Sequence, residues 1–307
     1  FEAAAQQGLV IYRKNPFNEF IDDILSVLDL QTIRNHGARV LFDPMYGSGT
    51  YPLMVILCTA RCTVDMIHNT RDAHFGGHHP APSVSGLAEL RTRVVAGKYE
   101  LGIAFDGDGD RCLLVDHTGE IIDGDQIIAI LATHLHLSHI AITVMANQGL
   151  LNWAKTANIT TEITPVGDSN VAEAMRTSHI PIGGEQSGHI ILPNEPTGDG
   201  ILTSLVIAKI ISDANQPLKI LARLFTKSPQ IIVNFDATPE QKEALKEKDA
   251  VKQLLLDCSK KLESEHGRLL VRPSGTEPLI RITMWGDNLS TIETLADELK
   301  ERLKEIL

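Results

Sequence analysis

The stretch Leu101-Gly-Ile-Ala-Phe-Asp-Gly-Asp-Gly-Asp-Arg111 joins an apolar pentapeptide to three alternating carboxylates. The apolar part predicts a buried strand. The glycines that alternate with Asp106, Asp108 and Asp110 predict a loose loop on which the three carboxylates can converge. Because like charges repel one another unless a cation lies among them, this metal loop (residues 106–111) predicts a site for a hard divalent cation, with Arg111 as an additional positive charge.

Strand and helix patterns alternate on both sides of the metal loop. Alternation of this kind indicates a mostly parallel α/β layer, and it repeats from Gly124 onward. The predicted strands are 38–43, 62–67, 101–105, 140–145 and 159–164, and the predicted helices are 15–34, 85–96, 125–137, 150–157, 168–176 and 198–213.

The pattern changes at about residue 228. Strands at 230–235, 268–272 and 279–284 are predicted together with one long charged helix at 239–265. A last helix is predicted to begin with the capping box Ser290-Thr-Ile-Glu293 and to bury an apolar stripe. The predicted fold is therefore two tandem α/β domains, each a three-layer mixed sheet, followed by a smaller C-terminal α+β domain. The predicted divisions are a tail at 1–14 and domains at 15–123, 124–227 and 228–307.

Composition excludes several classes of protein. The chain of 307 residues is 43% apolar, which argues against wholesale disorder. Its net charge of −11 argues against a general nucleic-acid binder, and no apolar stretch approaches the ~18 residues of a membrane span. Neither the cysteines nor the two histidine clusters have zinc-ligand spacing, so we expect reduced thiols, a cytoplasmic location and structural or solvated imidazoles. These residues are Cys58, Cys62, Cys112 and Cys258, and His74, His78, His79, His134, His136 and His139.

A second polar loop spans Gly183-Gly-Glu-Gln-Ser-Gly-His189. It presents a carboxylate, an amide, a hydroxyl and an imidazole within five residues, a mixture that suits the many donors and acceptors of a sugar. A nucleophile elbow is excluded because no glycine stands two residues before Ser187. We call residues 183–189 the sugar loop.

A third loop, Arg272-Pro-Ser-Gly-Thr-Glu-Pro278, is followed closely by Arg281. Two guanidinium groups, two hydroxyls and the backbone around a glycine make a cradle for an anion, and phosphate is its natural guest. We call residues 272–278 the phosphate loop. Metal, sugar and phosphate sites together predict phosphoryl transfer on a phosphosugar.

These three loops, in this order, resemble those of the α-D-phosphohexomutases, and the resemblance extends from about residue 15 to the end of the chain. That family has three related α/β domains and a smaller C-terminal domain around a cleft, and this chain looks like the last three of the four. The resemblance implies Mg²⁺ and a hexose 1,6-bisphosphate as cofactors, a small phosphosugar as partner, and phosphoryl transfer between the two ends of a hexose phosphate.

The resemblance also implies a role for individual residues of the three loops. Arg111 and His189 are the expected catalytic residues. Mg²⁺ is expected at Asp106, Asp108 and Asp110, the sugar at Glu185, Ser187 and His189, and the phosphate at Arg272, Ser274, Gly275, Thr276 and Arg281.

One part of the family pattern is missing from the sequence. Members transfer the phosphoryl group through a serine in a Thr-x-Ser-His-Asn-Pro-like loop, and no such loop precedes the metal loop. The nearest imitation, Thr177-Ser-His-Ile-Pro181, has the wrong spacing and lacks the asparagine. The full-length protein is therefore expected to be an isomerase, whereas this chain alone is expected to be inactive, which leaves open that it is a non-catalytic phosphosugar-binding fragment.

Two further alternatives remain. The segments 183–190, 197–200 and 272–281 look most like phosphoglucosamine mutases, but 75–82 looks more like phosphoglucomutases or phosphomannomutases. A haloacid-dehalogenase-type phosphatase also places Asp-x-Asp after a strand, as Asp106 and Asp108 do, although it leaves the other two loops unexplained. An EF-hand is excluded because Arg111 replaces its required glycine and His117 its closing glutamate.

Overall fold

The computed structural model describes residues 16–77, 79, 81–274 and 277–307. Its first half contains α1 (Pro16–Val27), α2 (Gln31–His36), β1 (Arg39–Asp43), α3 (Thr50–Thr59), β2 (Thr63–Met66), α4 (Ala88–Ala96), β3 (Leu101–Phe105), β4 (Cys112–Asp116), β5 (Ile121–Ile122), α5 (Gly124–His134), β6 (His139–Thr143) and α6 (Gln148–Thr156). Its second half contains β7 (Thr160–Thr164), α7 (Asp168–Ser178), β8 (Gly183–Gly184), β9 (Ile190–Ile191), α8 (Gly200–Ala214), α9 (Leu218–Leu221), β10 (Gln230–Asp236), α10 (Pro239–Glu247), α11 (Asp249–Glu263), β11 (Arg268–Pro273), β12 (Leu279–Trp285) and α12 (Leu289–Ile306).

The chain forms two compact units. The first contains the residues up to Ile121 together with Asp199–Lys219, and the second contains Ile122–Gly198 together with Ile220–Leu307. The predicted tail at 1–14 lies outside the described residues. The three-domain boundaries stay predictions, because this division follows contacts and not the order of the chain.

The first unit is built on one mixed sheet with the strand order β2-β1-β3-β4-β5. Strands β1, β2 and β3 are parallel, whereas β4 runs antiparallel to β3. Helix α4 packs on one face, and the rings of Phe42 and Phe105 meet edge-on with centroids 5.0 Å apart. Strand β4 was not predicted from the sequence, and its pairing with β3 makes the metal loop the connection between these two strands.

Helix α8 belongs to the first unit. Its position in the sequence predicts that it ends the second α/β block, but it packs against α2 and β4. Ten of its fifteen residues are buried, so nearly every face of the helix is shielded from solvent. This is typical of a helix that is surrounded by other elements. The order of the chain cannot show which sheet covers such a helix.

The second unit contains two sheets. One has the order β7-β6-β8-β9, with β9 antiparallel to the other three strands, and the other is the antiparallel sheet β10-β12-β11. The predicted fold class is confirmed: two mixed α/β sheets precede a smaller α+β sheet. No helix in the described part of the chain is both long and apolar enough to cross a membrane.

Two helix predictions in the C-terminal part are wrong. The single helix at 239–265 is broken at Lys248, whose backbone is extended (φ −68°, ψ 124°). Leu245 and Val251 are both buried in the same core, and a straight helix would place them about 120° apart around its axis. The last helix is capped by Asn288, whose side chain accepts the Thr291 N–H, so the predicted capping box lies inside the helix.

Candidate functional site

The metal loop gathers the three predicted carboxylates. Asp106, Asp108 and Asp110 each offer an oxygen, and these oxygens lie within 4.8 Å of one another. Among the residues that the structure describes, no other group of three His, Cys, Asp or Glu side chains is gathered in this way. The donors are all carboxylate oxygens, the ligands that Mg²⁺ prefers in proteins.

Asp106 is the buried member of the three, with 4% of its surface exposed. Its Oδ1 accepts the backbone N–H groups of Gly109 and Arg111, both at 3.1 Å. Burial first, then the neighbouring Asp110, raises the pKa of Asp106 to about 7, although the Arg111 N–H opposes this shift. Burial and a neighbouring carboxylate both disfavour the ionised form of Asp106, and a bound divalent cation would stabilise that form. The three carboxylates therefore fit such an ion.

The turn at Gly47 and Ser48, in the first unit, contacts the backbone of the metal loop. Ser48 donates its N–H to Gly107 O (3.0 Å) and its hydroxyl to Asp108 O (2.6 Å). A Cβ on Gly47 would lie 2.4 Å from Gly107 O, which is too close for any other residue. On the other side the Gly200 N–H of α8 donates to Gly109 O at 3.0 Å. These contacts to the backbone oxygens of residues 107–109 hold the loop in addition to the hydrogen bonds that Asp106 accepts within it.

Arg111 lies beside the same carboxylates. Its Nε is 3.3 Å from Asp106 Oδ2 and 3.7 Å from Asp110 Oδ1. The side chain is 39% exposed, so the guanidinium group has one side toward the loop and one side toward solvent. It can therefore meet an incoming anion at the metal loop.

The sugar loop in the second unit is held by its own backbone. The Glu185 N–H donates to His189 O, and the Gly188 N–H donates to Glu185 O, both at 3.0 Å. Glu185 Oε1 accepts the Gly167 N–H at 2.9 Å, and the exposed Ser187 hydroxyl donates to Glu185 Oε2 at 3.2 Å. Glu185 and Ser187 are thus presented together, as a polyhydroxyl ligand requires.

His189 is placed differently from the other residues of the sugar loop. It is 2% exposed, and its Nε2 accepts the Gly198 N–H at 3.1 Å. A Cβ on Gly198 would lie 2.6 Å from that nitrogen. These contacts favour a positioning role, in which the imidazole fixes the end of the loop. Its predicted roles in catalysis and sugar binding stay predictions.

The phosphate loop connects β11 to β12, where Arg272 and Arg281 stand directly opposite one another. Like charges at opposite positions of an antiparallel pair destabilise it. Burial first, then the charge of Arg281, lowers the pKa of Arg272, while Glu185 opposes this shift. Arg281 also forms an ion pair with Glu277. Two guanidinium groups on adjacent strands make a site in which an anion would relieve the repulsion.

The rest of the phosphate loop is partly described. Ser274 is 6% exposed, and its hydroxyl accepts the Glu277 N–H at 3.2 Å. Gly275 and Thr276 lie outside the described residues. Lys242 of α10 donates its ammonium group to Ser274 O (2.8 Å) and Glu277 O (2.6 Å). Lys242 was not predicted from the sequence, because it stands in a charged helix thirty-two residues before the serine and belongs to no motif.

The serine of the imitation motif is part of a helix end. Ser178 is the last residue of α7, and His179 follows it in the left-handed region (φ 52°) as the C-cap. The segment therefore terminates a helix, which accounts for its residue types without a catalytic role.

The N-terminus of α5 lies directly against the sugar loop, and this contact leads to a prediction. A Cβ on Gly124 would lie 1.9 Å from Glu185 O and 2.9 Å from Gly188 N, both backbone atoms. We expect Gly124→Ala to cost about 1–3 kcal/mol of stability through overpacking, which corresponds to a fall in Tm of about 2–10 °C. Gly86→Ala is the matched control, because the nearest atom to its Cβ is the Ser83 hydroxyl at 3.1 Å. Equal melting temperatures for the two variants would contradict the prediction.

Profiles of one protein family match consecutive parts of the chain. The profile "Phosphoglucomutase/phosphomannomutase, alpha/beta/alpha domain II" matches residues 18–119, "domain III" matches 123–228, and "C-terminal domain" matches 232–302. Together these matches include all three loops.

Several curated proteins are similar along most of the chain. A phosphoglucosamine mutase of Ruminiclostridium cellulolyticum is 34% identical, with 95% of this chain and 65% of that protein covered. A phosphoglucosamine mutase of Clostridium acetobutylicum is 39% identical, with 88% and 61% covered. The chain thus spans just under two thirds of the length of these relatives.

Solved structures share the fold. A phosphoglucomutase/phosphomannomutase family protein of Burkholderia thailandensis superposes with a TM-score of 0.78 at 20% identity, covering 94% of this chain and 64% of that one. The N-acetylphosphoglucosamine mutase of Aspergillus fumigatus, solved with GlcNAc-6P and magnesium, gives 0.71 at 15% identity, covering 97% and 67%. At these identities the likeness concerns the fold alone.

Proposed function

The chain belongs to the phosphoglucomutase/phosphomannomutase family, and from this premise we propose that it supplies the metal, sugar and phosphate sites of a phosphohexomutase, most like a phosphoglucosamine mutase. The reaction would move a phosphoryl group between the two ends of a hexosamine phosphate, through a phosphoserine enzyme and a hexose 1,6-bisphosphate. We do not propose a haloacid-dehalogenase-type phosphatase, because the family profile over residues 18–119 includes Asp106, Asp108 and Asp110.

One observation of the second unit carries this proposal. Burial and the charge of Arg281 lower the pKa of Arg272, and the charge of Glu185 in the sugar loop opposes this shift, so the two loops are close enough for their charges to interact. A site for hydroxyls beside a site for a phosphate matches the two ends of a phosphosugar. Arg272, Arg281 and the buried Ser274 would grip the phosphate that does not react, while Glu185 and Ser187 would orient the ring through its hydroxyls.

The metal loop has a separate role in the proposal. Asp106, Asp108 and Asp110 would hold Mg²⁺. When bound, the ion supplies positive charge that stabilises a phosphoryl group during transfer. Arg111, which lies beside the same carboxylates, would add a second positive charge for the transferring group. His189 would keep the sugar loop in position. We propose the cytoplasm as the compartment, in keeping with four free thiols.

The test is the substrate preference of the full-length protein. With glucose 1,6-bisphosphate as activator, kcat/KM is measured for glucosamine 6-phosphate, mannose 6-phosphate and glucose 6-phosphate. We expect glucosamine 6-phosphate to give the highest value. A preference for glucose or mannose 6-phosphate would replace the hexosamine assignment by the phosphoglucomutase/phosphomannomutase alternative, and no turnover of any of them would overturn the proposal.

The 307-residue chain itself allows a separate comparison. We expect it to bind glucosamine 6-phosphate and Mg²⁺ without isomerising the sugar, because its sequence offers no phosphoserine loop of the family pattern. Calorimetric titration measures the binding, and a coupled mutase assay measures the turnover. Robust turnover by this chain would contradict a binding-only role.

The raised pKa of Asp106 predicts how Mg²⁺ binding depends on pH. A proton and the ion compete for this carboxylate, so below about pH 7 we expect Mg²⁺ affinity to fall up to about tenfold per pH unit. The Tm increase caused by Mg²⁺ at one fixed concentration above its Kd should therefore be larger at pH 8 than at pH 6. An equal increase at both pH values would contradict the prediction.

The metal-free chain should show the opposite trend in stability. The folded Asp106 holds its proton up to about pH 7, whereas the unfolded side chain releases it near the ordinary aspartate pKa of 3.8. Between these two values the native state binds more protons, so the contribution of this group is fully present below about pH 4 and is lost as pH rises through about 7. The measurement is Tm as a function of pH without Mg²⁺. Asp106→Asn is the control, and its Tm should not show the fall that Asp106 causes as pH rises through about 7.

A further inference from the structure

A buried carboxylate of the second unit is not used by the proposed mechanism. Asp125, in the first turn of α5, is fully buried. Its Oδ2 accepts the Asn147 N–H at 2.7 Å and the Gln186 side-chain amide at 3.3 Å. A buried carboxylate is costly to ionise unless hydrogen bonds and opposite charges compensate it, so the groups around Asp125 indicate what it does.

The group around Asp125 connects distant parts of the second unit. The Gln186 amide Nε2, which donates to Asp125, also lies 3.3 Å from Gln230 Oε1 at the start of β10. Gln186 belongs to the sugar loop, whereas β10 belongs to the sheet that carries the phosphate loop. One side-chain amide is therefore shared between helix α5 and the first residue of β10.

A positive charge of the C-terminal sheet faces the same carboxylate. Arg268 of β11 stacks over the Trp285 ring, with its Cζ 4.1 Å from the ring centroid, and donates to Ala146 O at 2.5 Å. Burial lowers the pKa of Arg268, and the charge of Asp125 opposes this shift. Arg268 stands four residues before Arg272 on the same strand. Its contacts therefore fix the first residue of the strand that leads into the phosphate loop.

Gln186 is the member of this group that lies in the sugar loop. Its backbone carbonyl accepts the Gly124 N–H at 3.1 Å, so main chain and side chain both attach the loop to the start of α5. The neighbouring Glu185 and Ser187 are the residues that would meet the sugar hydroxyls. Because Gln186 lies between Glu185 and Ser187, fixing its position also restricts the positions of these two residues.

We propose that Gln186 is a positioning residue: its amide, shared by Asp125 and Gln230, fixes the sugar loop relative to the phosphate loop so that a phosphosugar meets both loops at once. This inference rests on the proposed function. A ligand that uses two linked sites gains affinity from their fixed separation, whereas a ligand of one site does not. Loss of the amide should therefore weaken the phosphosugar and spare inorganic phosphate.

The decisive variant is Gln186→Met, which keeps the size of the side chain and removes its hydrogen bonds. By calorimetric titration of the 307-residue chain, we expect the Kd for glucosamine 6-phosphate to rise about 5–10-fold, the effect of losing one or two hydrogen bonds. The Kd values for inorganic phosphate and for Mg²⁺ should stay within about twofold of the parent chain, the scatter expected of near-neutral surface changes. Gln253→Met, on the exposed face of α11, is the matched control and should change none of the three.

A second variant tests whether the effect passes through Gln186. Asp125→Asn keeps the shape and removes the charge, and we expect it to raise the Kd for glucosamine 6-phosphate in the same direction. Because both act on the same loop, the double variant should bind no more weakly than Gln186→Met alone.

The possible results separate the inference from the function on which it rests. If the parent chain does not bind glucosamine 6-phosphate, the proposed function fails. If the parent chain binds it and Gln186→Met binds it equally well, only the positioning role is overturned. A parallel loss of phosphate and phosphosugar affinity, or effects of the two substitutions that simply add, would also overturn the positioning role.

Discussion

Asp108→Asn is expected to remove Mg²⁺ binding from the metal loop and to lower kcat/KM of the full-length protein by about 10²–10³-fold, the usual effect of losing one electrostatic group at a transferring phosphoryl. Asp108 is the exposed member of the three carboxylates, so asparagine should not disturb the fold. Its backbone oxygen accepts the Ser48 hydroxyl, and that contact does not depend on the side chain. The substitution therefore removes a charged ligand and little else.

Two measurements check this expectation. Calorimetry on the 307-residue chain gives Mg²⁺ affinity, and steady-state kinetics on the full-length protein gives kcat/KM. Asp65→Asn is the control: Asp65 is an exposed carboxylate of the same unit, 3.7 Å from an Arg39 nitrogen, and exposed pairs of this kind contribute little. Mg²⁺ affinity that is unchanged in Asp108→Asn would show that the metal loop does not use this carboxylate.

Arg272→Met is expected to weaken glucosamine 6-phosphate binding by about 10–100-fold, because a charge-assisted hydrogen bond to an anion contributes about 1.5–3 kcal/mol. Its effect on stability should be the reverse. Arg272 faces Arg281 across β11 and β12, and the neighbouring charge helps to lower its pKa. Removing one of two repelling charges should leave Tm unchanged or raise it slightly. Loss of binding without loss of stability is typical of a residue retained for its ligand.

Arg302→Met is the matched control for this variant. Arg302 is an exposed residue of α12, so its substitution should change neither the Kd nor the Tm. Inorganic phosphate is titrated in parallel, and its Kd should rise together with that of the phosphosugar, in contrast to the result expected for Gln186→Met. If Arg272→Met lowers Tm and spares both ligands, its guanidinium group is structural, and the phosphate assignment fails.

Most of the fold was predictable from local patterns. The strands β1 and β3 are short apolar runs that end at or just before an aspartate, and β6 is a third short apolar run. Helix α12 has an apolar stripe whose Ile292, Ala296, Leu299 and Leu303 are all buried. The wrong helix predictions lie where the local residue types are compatible both with one continuous helix and with a helix that is broken or begins elsewhere. Lys248 sits in a charged segment with good helix formers on both sides, and only the need to bury Leu245 and Val251 in one core breaks the helix there.

The three loops were predictable for a different reason. The candidate ligands of each lie close together in the sequence, so their residue types and spacing are sufficient to predict metal, sugar and phosphate sites. The structure brings together the three carboxylates of the metal loop, Glu185 with Ser187, and Arg272 with Arg281. It buries His189, which the spacing alone suggests is presented beside Glu185.

The family and the order of the domains therefore follow from the sequence alone, and the sequence also predicts the residues that would present chemistry. The tertiary structure decided which residues hold them: Lys242 under the phosphate loop, Ser48 under the metal loop, α8 beside the first sheet, and the amide of Gln186 between Asp125 and Gln230. The physical reason is the range of the interactions. Ligand chemistry is carried by residue types a few positions apart, whereas support comes from hydrogen bonds and packing between segments up to about a hundred residues apart, which no local pattern records.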